Sequence, residues 1–196
     1  LDKVDARSKP QRRFKLNRDR TKSTPAANTV LKKVAVEPHK QEDSALIAQS
    51  NNEIIRISEK SKTLNNVTHS IIITVNEVES ITMKDISNSV IVINSKGPAF
   101  LFSLKNCLVF VHCHQLRIHD TVDSKFVTDI PNKVGVIENS KSLKFNTDVD
   151  IKDFNHPFGV SPNYTYYEIT QELINVKKQV ENSPELSYLE KYIALV

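Results

Sequence analysis

Residues Asn106 to Asp120 read N-C-L-V-F-V-H-C-H-Q-L-R-I-H-D. The stretch opens with a continuous apolar run, Leu108 to Val111, of the kind a strand buried in a sheet would show. It then switches to strict alternation, with Leu116 and Ile118 on one parity and Gln115, Arg117 and His119 on the other. On a strand, Leu116 and Ile118 therefore point to a core while Gln115, Arg117 and His119 share the outer face. A planar cation between an amide and an imidazole is suited to holding phosphate or carboxylate oxygens. The same alternation argues against zinc, because Cys113 falls on the opposite parity from His112 and His114 and no second Cys/His pair completes a tetrahedral set. No metal and no cofactor are expected.

The apolar run is one copy of a repeat. Ser70-Ile-Ile-Ile, Ser89-Val-Ile-Val, Cys107-Leu-Val-Phe and Ser124-Lys-Phe-Val follow one another at a nearly constant spacing, which shortens by one position at each step. A looser copy stands at Ser142-Leu-Lys-Phe. A second set of strands, around Val78–Ile86, Ala99–Leu104, Gln115–His119 and Val134–Ile137, is offset by about half a repeat. A β-only period this short fits a parallel β-helix, whose coils stack about 4.8 Å apart and share a column of core residues. Ile72, Val90 and Leu108, or their immediate neighbours, are predicted to share such a column. An antiparallel sandwich with turns at the same spacing fits the pattern as well. With only three glycines, a solenoid requires Asn and Asp, such as Asn88, Asn106 and Asp123, to take left-handed corners.

Residues 1 to 23 carry nine Lys/Arg against three Asp/Glu, a net of +6, so the rest of this +4 chain is near −2. The basicity therefore belongs to a tail, and a nucleic-acid-binding domain is not expected. Residues 1–40 read as a disordered basic arm, 41–165 as the β domain, opened by a short helix over 41–50, and 166–196 as a helical extension. Thr165-x-x-Glu168 fits a capping box, followed by an apolar stripe of Ile169, Leu173, Val176 and Val180, and Ser183-Pro184 fits a second helix start. The two helices are predicted to cover a terminal coil. Asp148, Asp150 and Asp153 read as a solvated acidic turn. No apolar run is long enough to predict a membrane span, no phosphate-cradling glycine loop is present, and two cysteines in one apolar neighbourhood fit a cytoplasmic protein.

C-x-Q-L-R-I-H-D, Cys113 to Asp120, resembles the signature of the tubulin-binding cofactor C domain family, shared with a retinal GTPase-activating protein and, more distantly, with cyclase-associated proteins. Asp153-Phe154-Asn155 and Ser161-Pro162-Asn163-Tyr164 resemble the end of that domain. The resemblance implies a right-handed parallel β-helix with short C-terminal helices. It also implies a tubulin-folding cofactor, cytoplasmic and cytoskeleton-associated, that stimulates GTP hydrolysis in trans. Arg117 would be the arginine finger, and Gln115, His119 and Glu138 would touch the partner. That partner would be β-tubulin held by other tubulin-folding cofactors, or an Arf-like small GTPase. His114 stands where relatives often carry another Gln. The alternative is a non-catalytic scaffold that binds a cytoskeletal protein such as actin.

Overall fold

The computed structural model describes residues 50–196. The basic arm over 1–40 and all but the last residue of the short helix expected over 41–50 lie outside the described residues. From Ser50 the chain runs through fourteen strands, β1 (Ser50–Asn51) to β14 (Tyr164–Tyr167), and then the helices α1 (Gln171–Asn182) and α2 (Leu189–Ile193). Every strand pairing is parallel and joins strands one coil apart, which is a parallel β-helix and rules out the sandwich.

Three faces wind around one core. The first stacks β3 (Ser61–Thr68), β5 (Ser80–Ser87), β7 (Pro98–Lys105), β9 (Gln115–His119), β11 (Val134–Glu138) and β13 (Asp150–Asp153). A short second side follows a bend within β3, β5 and β7. The third face stacks β2 (Ile54–Ile57), β4 (Ile71–Thr74), β6 (Val90–Asn94), β8 (Leu108–His112), β10 (Val122–Asp129), β12 (Lys141–Asn146) and β14. The corners are made by non-glycine residues with positive φ. His69, Asn88, Asn106, Asp123 and Ser142 form one column, and Asn66, Asp85, Ser103, Asp120 and Asn139 the other. Asn and Asp tolerate this conformation because their side chains bond the local backbone. Gly97 meets a different need: a Cβ there would sit 2.0 Å from the Glu79 carbonyl oxygen.

The repeat's small polar first residue has a definite task. Ser70 Oγ accepts from Glu53 N, Ser89 Oγ accepts from Ser70 N, and Ser124 Oγ accepts from Cys107 N, each at 3.1 Å. At Cys107 the sulfur takes the same place, facing the Ser89 backbone. These side chains are buried, and each satisfies a turn amide that the strand ladder leaves without a partner.

The continuous apolar runs are buried on both faces. Ile72, Ile91, Val109 and Phe126 stack in register inside the coil, while Ile71, Val90 and Leu108 stack on the outer side. The expected column is thus two columns, shifted by one position between Ile72 and Val90. The outer one, with Ile73, Val92 and Phe110, is covered by Leu173, Val176 and Val180 of α1 and by Leu189, Tyr192 and Ile193 of α2. The helices therefore close a lateral face rather than a terminal coil. Burying a side chain of this size is worth about 1.5–3 kcal/mol, so uncovered columns would leave a large apolar patch in water.

Three further expectations are corrected. Thr165 lies in β14, and α1 is capped instead by Thr170, whose hydroxyl accepts from Leu173 N. Ile169 is exposed, because the helix begins only after it, at Gln171. Ser183 ends α1 rather than starting a second helix, and a single 3-10 turn at Leu186–Tyr188 leads into α2. Among the described residues no helix is long and apolar enough to cross a membrane.

Candidate functional site

The alternation in β9 is realised. Leu116 and Ile118 are fully buried, Gln115 is exposed, and Arg117 and His119 are half-buried on the outer side of the first face. Their burial comes from adjacent coils. Arg117 lies in register between Phe100 of β7 and Val136 of β11, and the column continues to Lys152 of β13. His119 lies between Phe102 and Glu138. The row is therefore a polar strip with apolar flanks, not an isolated polar island. The signal for those flanks was in the sequence: the positions one repeat before and one repeat after Arg117 hold Phe100 and Val136.

Each polar member has a defined neighbour. With its amide oxygen turned toward the guanidinium, Gln115 accepts from Arg117 Nε at 3.0 Å and from Nη2 at 3.3 Å. Among the described residues no carboxylate pairs with Arg117. The remaining donors of its five-donor fork have no partner among the described residues. His119 stacks on Phe102 with ring centroids 5.1 Å apart, and its Nδ1 lies 3.2 Å from Glu138 Oε2. Glu138 thus meets His119 rather than Arg117.

Below the row, Asp153 ends β13. It is 5 % exposed and is not part of a solvated turn. Ser161 Oγ and Asn163 Nδ2 donate to its Oδ2 at 2.5 and 2.7 Å, Asn155 N donates to Oδ1 at 2.9 Å, and His156 Nδ1 lies 3.3 Å from Oδ2. Burial alone would raise the carboxyl pKa. The bonds from Ser161 and Asn163, with Asn155 and His156, outweigh it and hold the group below the usual carboxylate range. Asp150, by contrast, is exposed and pairs with Lys152 at 2.6 Å. Thiol chemistry finds no support, since burial pushes both Cys107 and Cys113 up to about 12.

The described residues form a parallel β-helix whose first face presents Arg117 from a strand, without a carboxylate partner among the described residues. A family model described as tubulin binding cofactor C matches residues 59–157, just over half of the chain and all of the first face from β3 to β13. The chain belongs to the tubulin binding cofactor C family. No curated protein matches it significantly.

Proposed function

We propose that this chain is a tubulin-folding cofactor that activates GTP hydrolysis in trans, with Arg117 as the catalytic arginine. Family membership supports the tubulin-cofactor role and, with it, a cytoplasmic, cytoskeleton-related setting. The observation that carries the catalytic reading is the state of Arg117. It is set on a strand, gripped from one side by Gln115, and without a carboxylate partner among the described residues.

As the bond to the γ-phosphate breaks, negative charge builds on the oxygens around it, and a cation already in place stabilises that charge without reorganising. Such an arginine is worth about 10³ to 10⁵ in rate, or about 4–7 kcal/mol of barrier. Gln115 acts as a positioning residue by holding Nε and Nη2, which leaves Nη1 for the partner's phosphate oxygens. His119 and Glu138 form a second polar pair on the same face for contact with the partner. The partner is β-tubulin with companion tubulin-folding cofactors, or an Arf-like small GTPase.

Single-turnover GTP hydrolysis tests the reading on tubulin with its companion cofactors and, in parallel, on an Arf-like GTPase. Arg117→Ala is expected to remove stimulation, Arg117→Lys to restore little because an ammonium lacks the planar fork, and partner binding to weaken far less than turnover. If Arg117→Ala stimulates as well as the parent, Arg117 is not the finger, and if the parent itself stimulates neither GTPase, a non-catalytic scaffold becomes the better account.

A further inference from the structure

We propose that Phe158 and Val160, on the loop after β13, form an apolar anchor that docks onto the same tubulin partner that receives Arg117. This rests on the arginine reading above. Phe158 is 94 % exposed and Val160 97 %. Single exposed apolar residues are ordinary, but two almost fully exposed ones, separated only by Gly159 in one short loop, are not.

The loop is also held in place. The buried Asp153 carboxylate takes Ser161 and Asn163 from its far end and Asn155 and His156 from its near end. Fixing a loop costs conformational entropy, normally offset by what its side chains bury. Phe158 and Val160 bury almost nothing within the chain. An apolar tip fixed in advance instead lowers the cost of binding a partner.

Its place points to the occupant. Arg117, Val136 and Lys152 follow one another in register, and Phe154 N donates to the Ile137 carbonyl, so the loop leaves the first face two coils from the arginine. Two coils span about 10 Å, well inside one patch of about 800 Å² per partner. A free nucleotide could satisfy the guanidinium but offers nothing apolar at that distance. A folded protein that carries its nucleotide beside an apolar surface satisfies both. Phe158 and Val160 lie just past residue 157, where the family match ends.

The test uses the full chain, GTP-loaded αβ-tubulin as the probe, and the companion cofactors for turnover. Phe158→Ser with Val160→Ser is expected to raise the Kd for tubulin by about tenfold or more. The single-turnover rate at saturation should stay within about twofold and the thermal midpoint should not move, since neither side chain is buried. Arg117→Ala, run alongside, is expected to do the reverse. An unchanged Kd overturns the anchor, as does a parent chain that binds no tubulin. A parent homodimer that the double variant splits, with tubulin affinity intact, would assign the loop to a second copy and overturn it as well. Should Arg117→Ala stimulate normally, the arginine reading fails by itself, and the anchor still stands or falls on Kd.

Discussion

Replacing Ser89 by Ala removes one rung of the buried ladder that joins successive coils. In the parent, Ser89 Oγ accepts from Ser70 N at 3.1 Å and donates to the Ser87 carbonyl at 2.7 Å, and Ser70 and Ser89 are fully buried. The Ser87 carbonyl keeps a donor in the variant, because His69 N also bonds it at 3.1 Å. The Ser70 amide keeps none. One orphaned buried N–H costs about 1–3 kcal/mol, and removing a small hydroxyl returns little apolar energy to offset it. For a domain of this size the cost corresponds to a fall of about 2–12 °C in thermal midpoint. Ser89→Cys is the control, since Cys107 already holds the equivalent place one coil on, where its sulfur faces the Ser89 backbone and donates to the Lys105 carbonyl at 3.4 Å. The cysteine variant is expected to keep most of the stability that alanine loses. Differential scanning calorimetry of the three chains decides the matter. An alanine variant that melts with the parent, or a cysteine variant that falls as far as alanine, would refute the ladder as the reason for the repeat's small polar residue.

Leu173→Ala removes a buried side chain between α1 and the third face and is expected to cost about 2–5 kcal/mol, read as the shift in denaturant midpoint. A change within error would mean that the helices are appended rather than part of the core. Asp153 has a depressed pKa in the folded chain, so its contribution is fully present above the unfolded carboxylate value of about 3.9 and is lost as pH falls through the lower folded value. Protection of the Asn155 amide from exchange, relative to its intrinsic rate at each pH, is expected to fall over that acid range in the parent and to be lost at neutral pH in Asp153→Ala, since this N–H donates to Asp153. Equal protection in both chains at neutral pH would remove Asp153 as the loop's clamp.

The repeat, the alternation in β9 and the composition determined where strands and turns fall between Ser61 and Asn146 and that no helix separates them. A coil that cannot bury its apolar side alone must stack, and the side-chain period of two assigns Leu116 and Ile118 inward and Arg117 outward wherever the chain closes. Parallel against antiparallel pairing was not decided by that pattern, because both place turns at similar spacing; the family signature around Arg117 pointed the right way. The Asn and Asp corners were legible because few other residues take positive φ. What covered the runs at Ile71, Val90 and Leu108 was not legible. An apolar run states that both faces are buried without stating by what, and only the packing of Leu173, Val176 and Val180 answers it. The helix start was misplaced because Thr165 satisfies a local capping pattern, while pairing of Tyr164–Tyr167 with β12 draws that segment into the sheet. The site divides in the same way. Side-chain direction and the Gln115 grip on Arg117 are local to β9, but the Phe100 and Val136 flanks and the meeting of His119 with Glu138 depend on register between coils. Register is fixed by the summed packing of every coil above and below, so it belongs to the tertiary structure.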